Sequence, residues 1–228
     1  MSTSRHALTA LTLCLAATTA QANVQITEFQ YNGLGDDADL GRTSEFVELT
    51  NLGASAIDFT GWSFDDSSRT AGSFSLTALG LVAAGESVVI AEGSAEAFRS
   101  AWNLAASVRV AGGNAQNLGR SDEINVYDAT NTLVDRLTYG DVTFPGTVRA
   151  SNFSANPSSL NDLTPATIQT TWVLAATGDA YGSLASVNGD IANPGVFALA
   201  VPEPSTYGLL LAGLGVVGVM AKRRRKHA

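Results

Sequence analysis

Between Asn23 and Val201 the chain contains no histidine, no cysteine, no lysine and no methionine. Each absence closes off some chemistry. Without imidazole or thiol, Ser-His-Asp and Cys-His catalysis are excluded, as are zinc or copper centres built on those ligands. Without an amine, lysine Schiff-base chemistry is excluded too. No disulfide can form in this stretch, so stability has to come from a packed core, and about 180 residues is enough for one. Positive charge is scarce as well: seven arginines stand against 20 Asp and Glu, a formal charge of −13. Self-repulsion keeps such a domain in solution and makes it a poor partner for anionic lipid or nucleic acid, so no nucleic-acid partner is expected.

The residue types missing from the middle sit at the ends. Arg5 and His6 lead into an apolar run from Ala7 to Thr19, and Ala20-Gln21-Ala22 places small residues at the two positions a signal peptidase reads. Residues 1–22 are therefore expected to be a signal peptide cleaved after Ala22. Cys14 belongs to the apolar run, because Leu13 stands where a lipoprotein needs a small residue. At the other end Pro202-Glu203-Pro204 precedes an apolar stretch, Tyr207 to Ala221, and a basic tip, Lys222 to Lys226. Fifteen apolar residues span about 22 Å at roughly 1.5 Å per residue. That is short for a hydrocarbon core about 30 Å thick, a gap that snorkelling cations narrow. The stretch is expected to be a transmembrane helix. Its five following cations favour the cytoplasmic side, which places everything before Pro202 outside.

The middle, residues 23–195, is read as one domain, joined by a linker at 196–201 to the tail at 202–228. Short segments rich in β-branched and aromatic residues recur between Gly, Asn, Asp and Ser: Val24 to Phe29, alternating from its first residue, then Glu45 to Leu49, Ile57 to Phe64 and Ser87 to Ala91. Val108 to Val110, Glu123 to Tyr127, Leu133 to Leu137 and Thr171 to Leu174 follow. Strands this short argue for an antiparallel sandwich or barrel. Asp128 to Thr132 reads as a hairpin loop. The single convincing helix is Ala95 to Trp102, capped by Ser94, with Phe98 and Trp102 on one face. Past Phe144 the pattern weakens; Ser151 to Ser159 reads as a loop and Trp172 as the anchor that returns the chain to the core.

Two resemblances follow from these residues. Ile26-Thr27-Glu28-Phe29, Glu45-Phe46-Val47-Glu48-Leu49-Thr50-Asn51 and Ile57-Asp58-Phe59-Thr60-Gly61-Trp62-Ser63-Phe64 together resemble the opening of a lamin tail domain, over about Val24 to Tyr139. The resemblance implies an immunoglobulin-like antiparallel β-sandwich, all-β apart from the one short added helix, and it brings no catalytic motif. Val201 to Ala228 is similar to a PEP-CTERM sorting signal, with Pro202, Glu203 and Pro204 as the motif. That implies recognition by an exosortase after export across the inner membrane, transient anchoring by the C-terminal helix, then a surface-attached or extracellular product. A plain single-span anchor is the alternative for the tail.

For a binding site, the acidic loop Gly35-Asp36-Asp37-Ala38-Asp39 offers Asp36, Asp37 and Asp39 as oxygen ligands for calcium, with Asp65-Asp66 as further donors if the loops meet. Asn117 to Glu123 places Arg120 among carboxylates, either to grip an anion or to close a loop. Glu45 and Glu48 are the one pair worth weighing for glycoside hydrolysis, and as strand residues three apart they are expected to point to opposite faces. Tyr31, Tyr127, Tyr139 and Tyr181 are available for stacking on sugars. The expected function is a non-catalytic module that binds, adheres or builds structure in an extracellular matrix, with no cofactor required. The alternatives are an exopolysaccharide-binding module, calcium-dependent or not, and, last, a carboxylate-based hydrolase.

Overall fold

The structure, a computed structural model, describes residues 24–199. The expected signal peptide with Ala20 and Ala22, the motif Pro202, Glu203 and Pro204, and the expected membrane helix at 207–221 lie outside the described residues. In chain order the strands are β1 (Val24–Gln30), β2 (Phe46–Asn51), β3 (Ile57–Asp58), β4 (Ser63–Asp65), β5 (Phe74–Ser75), β6 (Leu81–Val82), β7 (Ser87–Ala91), β8 (Val110–Gly112), β9 (Asp122–Tyr127), β10 (Leu133–Tyr139), β11 (Ala155–Pro157), β12 (Thr167–Ile168), β13 (Trp172–Leu174), β14 (Leu184–Ala185) and β15 (Ile191–Ala192). One α-helix, α1 (Ala95–Ala101), lies between β7 and β8.

These strands form two main sheets, ordered β13-β11-β1-β2-β7-β8 and β12-β10-β9-β4-β5, with two small ribbons, β14-β15 and β3-β6. The sheets pack as a sandwich. Val24, Ile26 and Phe29 of β1, Val47 and Leu49 of β2 and Val88 and Ile90 of β7 meet Phe64, Ile124, Val126, Leu137 and Tyr139 of the second sheet in one core cluster. Gly61 turns the chain at φ 80°, which a Cβ would oppose, and delivers Trp62 onto Phe59 with ring centroids 4.6 Å apart. Between the sheets, the buried Asp135 of β10 accepts the Ile26 N–H at 2.9 Å, beside the point where the β1–β2 register slips. A β-bulge leaves a ladder group without its strand partner, and here a side chain from the facing sheet takes it. Burial pushes the Asp135 carboxyl up to about 6.

Two strand pairs depart from the antiparallel expectation: β8 joins β7 in parallel, and β12 joins β10 in parallel. A parallel pair needs a crossover connection, and α1 lies in the β7–β8 crossover while β11 lies in the β10–β12 crossover. Ser94 caps α1 by accepting the Ala97 N–H at 3.1 Å. Phe98 and Trp102 pack on Phe46 with centroids 5.5 and 5.9 Å apart, forming a second, smaller cluster on the far side of the six-stranded sheet.

The segment read as a loop at Ser151 to Ser159 contains β11, which lies between β1 and β13 through Phe29↔Ala155 and the Ala155↔Leu174 to Pro157↔Trp172 register. Small and polar side chains hide such a strand; long-range pairing makes it.

Candidate functional site

Alternation such as that of β1 ordinarily marks a strand with one wet face. All seven residues of β1 and all six of β2 are nevertheless buried. Phe98 and Trp102 cover Phe46, and the chain from Ser183 to Phe197 covers the glutamates of both strands. Asp190 fastens its first half, accepting the Leu34 N–H at 2.9 Å, the Gly35 N–H at 3.2 Å and the Ser44 hydroxyl at 2.5 Å. A Cβ on Gly33 would fall 2.2 Å from the Asp190 carboxylate, so this docking requires glycine there. The second half crosses three neighbouring strands in turn. Asn193 N–H donates to Glu28 Oε1 on β1 at 2.9 Å, Gly195 N–H to Glu48 Oε2 on β2 at 2.8 Å, and Phe197 N–H to Ser87 Oγ on β7 at 3.1 Å.

Glu28 and Glu48 are cross-strand partners and both are fully buried. Ser154 Oγ donates to Glu28 Oε1 at 2.5 Å, while Glu28 Oε2 has no hydrogen-bond partner. Thr27 Oγ1 donates to Glu48 Oε1 at 2.6 Å. Burial first, and the neighbouring Glu48 second, push the Glu28 carboxyl well above the usual carboxylate range; burial also raises Glu48. A raised pair of this kind holds a proton near neutrality, and here both carboxyls are sealed from solvent. Glu45 is held elsewhere. Its Oε2 accepts the Leu118 N–H at 3.1 Å, and burial, with repulsion from Glu92, lifts its carboxyl to about 9. The two glutamates weighed for hydrolysis thus do not share a cleft.

The two loops singled out in the sequence do meet. A pocket of about 230 Å³ is lined by Tyr31, Asn32, Asp36, Arg42, Glu92, Asn117, Leu118 and Arg120. Asp36 Oδ2 accepts the Gly33 N–H at 2.8 Å, its Oδ1 is buried without a partner, and burial raises its pKa. Asp37 instead caps the short turn of 3-10 helix at Ala38–Leu40, accepting the Asp39 N–H at 2.8 Å, and Asp39 is exposed. Asp65 and Asp66 close the β4–β5 turn through Ser68 and Thr70. Among the described residues no group of three or more His, Cys, Asp or Glu side chains is placed to share a metal ion. Arg120 makes a two-pronged pair with Asp141 at 2.8 and 2.6 Å, the loop-closing role. Tyr31, Tyr127, Tyr139 and Tyr181 are all buried, and Tyr31 borders the loop pocket.

Sequence reasoning missed the Glu28–Glu48 seam. The signal for it was present: the alternate positions of β1, β2 and β7 hold Gln25, Thr27, Gln30, Thr50 and Ser87, and none holds a cation. Wet strand faces usually carry Lys or Arg; a row of small hydrogen-bonding groups suits a covered one.

Comparison with protein families gives two matches. The model of the PEP-CTERM protein-sorting motif matches residues 200–226, and that of the Lamin Tail Domain matches residues 17–141. Among curated proteins nothing matches the chain. The sorting motif implies processing by an exosortase, with export to the cell surface or the extracellular space, and both matched families are non-catalytic. β11 to β15 lie beyond the domain match, yet they extend both sheets and supply the cover over Glu28 and Glu48. With more than half of its length matched by that model, and with the sandwich expected of it, the chain belongs to the lamin tail domain family.

Proposed function

We propose that this protein is a non-catalytic module of the extracellular matrix, delivered by an exosortase-type system and acting there by binding or by building structure. One observation carries the reading: a lamin tail domain and a sorting motif stand on one chain, separated by the segment that completes the sandwich. The burial of Glu45 and Glu48 supports it against the hydrolase alternative, since a glycosidase needs two carboxylates open to one cleft. Mass spectrometry of surface, medium and membrane fractions from the native host tests the delivery. The expected chain begins at Asn23 and ends near Pro202 outside the inner membrane. An intact chain through Ala228 in that membrane would overturn it in favour of a plain anchored ectodomain.

A second reading, a calcium-dependent exopolysaccharide binder, is favoured by the unpartnered buried Asp36 Oδ1 beside the loop pocket. It predicts that calcium raises Tm and that Asp36→Asn removes the rise. A Tm indifferent to calcium in the unaltered protein sinks it.

A further inference from the structure

The chain that covers the glutamates is fastened unequally along its length. As far as Ala192 it is held by main-chain pairs, Val187 N–H to the Ala101 carbonyl at 2.8 Å and Ile191 N–H to the Asn152 carbonyl at 3.0 Å, and by the β14–β15 ribbon. From Asn193 onward the described residues make one main-chain pair, the turn Val196 N–H to the Asn193 carbonyl at 3.3 Å. The main-chain N–H groups of Asn193, Gly195 and Phe197 reach the sheet, and each ends on a side chain: Glu28, Glu48 and Ser87. Val196 among them is 60% exposed. A segment held by so few buried groups opens far more readily than the body it rests on.

Beneath it lies a pair of carboxyls with no counter-charge. Glu28 and Glu48 oppose each other across β1 and β2, and both are sealed from solvent. Ser154 and Asn156 of β11 and Asn193 of the cover face Glu28; Thr27, Thr50, Ser87 and Gly195 face Glu48. All of these are neutral. Among the described residues neither glutamate has an arginine partner. Arg99 of α1 donates to the Val108 carbonyl at 2.9 Å, and Arg109 pairs with Glu86 at 2.8 Å. Two neighbouring carboxylates in a dry place do not both ionise, because like charge and lost hydration each oppose it. The covered pair therefore keeps at least one proton. When the cover lifts, water reaches both carboxyls and each ionises as an ordinary glutamate does.

We propose that residues 193–199 form a proton-controlled latch, shut while the Glu28–Glu48 pair holds its proton and lifting from the sheet when that proton leaves, with both sheets intact. For each pH unit over which the shut pair keeps a proton that the open pair has lost, the open fraction rises about tenfold. Lifting adds residues 193–197 to the chain between the body and Pro202, a gain in reach of roughly 17 Å when extended. Any bearing of that reach on the sorting motif rests on the delivery proposed above; the opening itself does not.

Hydrogen–deuterium exchange of the full chain in detergent tests this, read by mass spectrometry on peptides covering 193–199 and 183–192. After correction for the intrinsic pH dependence of amide exchange, protection of 193–199 should fall at least about tenfold between pH 5 and pH 8, while that of 183–192 holds. The double variant Glu28→Gln with Glu48→Gln has no proton to lose there, and in it the fall should vanish. The single variant Glu28→Gln should show a smaller fall than the unaltered chain, and serves where the double variant does not fold by circular dichroism. No fall in the unaltered chain, an equal fall in both segments, or an undiminished fall in a folded variant would each overturn the proposal.

Discussion

β1 and β10 are strands of equal length in facing sheets, and each turns apolar residues toward the common core. Their other faces differ. In β10 the residues alternate, with Asp135, Leu137 and Tyr139 buried and Arg136 and Thr138 half-buried, as in a sheet with one side to water. In β1 burial does not alternate: Asn193 crosses the outer face at Glu28, and Thr27 is hydrogen-bonded to Glu48 and Thr50. Burial on the β10 pattern is a matter of apolar area. Burial over β1 depends on each polar group finding a partner, since an unpaired group in a dry place loses its water for nothing in return. The inner face thus supplies most of the stability, and the outer face fixes which segment may cover it.

Three perturbations separate these contributions. The largest effect belongs to the inner face. Phe29→Ala removes a fully buried ring that contacts Tyr139 at 4.4 Å and Trp172 at 5.9 Å. It should lower the unfolding free energy by about 3–5 kcal/mol in urea titrations. Loss below about 1 kcal/mol would mean that the outer face carries the fold.

Next comes the pH dependence, which belongs to the carboxyls sealed on and beside β2. Glu28, Glu45 and Glu48 all have folded pKa values raised above their ordinary value, with Glu45 reaching about 9. The folded state therefore binds protons more tightly than the unfolded chain. The stability these three carboxyls contribute is full below about pH 4.5 and is lost as pH rises through the folded values toward about 9. Melting temperatures at pH 5, 7 and 9 should fall in that order. Glu28→Gln, which keeps an acceptor for Ser154 and Asn193, should flatten the decline. A decline of the same steepness in Glu28→Gln would remove Glu28 from its cause.

The smallest effect belongs to the wet surface. Arg120→Ala breaks an exposed pair with Asp141 and should leave the unfolding midpoint in the same titrations almost unchanged, with any shift smaller still at high salt.

The residues from Glu45 to Phe64 announce their strands because the apolar positions, the Gly61 turn and the Trp62 anchor are all local. The hairpin at Asp128 to Thr132 is equally legible: its closing bond, Asp128 N–H to the Thr132 carbonyl at 2.9 Å, lies within the loop itself. β11 is not legible, because Ala155 gains its strand geometry from Phe29, far away in sequence. The cover is harder still. Asn193, Gly195 and Phe197 hold the sheet through main-chain N–H groups, which every residue but proline possesses and which leave no mark on composition. For the loop pocket, the sequence supplied both walls, Asp36 and Arg120. It could not show that Asp37 turns away to cap Ala38–Leu40 or that Asp141 takes up the arginine.

The crossing of β1, β2 and β7 by Asn193, Gly195 and Phe197 also has a mechanical meaning. Any load applied to the chain beyond Leu199 enters the body at Phe197, then Gly195, then Asn193. It is borne in succession by a serine hydroxyl and two glutamate carboxyls before any strand of the main sheets is pulled. Three side chains on three neighbouring strands thus form a graded fastening, and two of its three holdfasts change charge with pH.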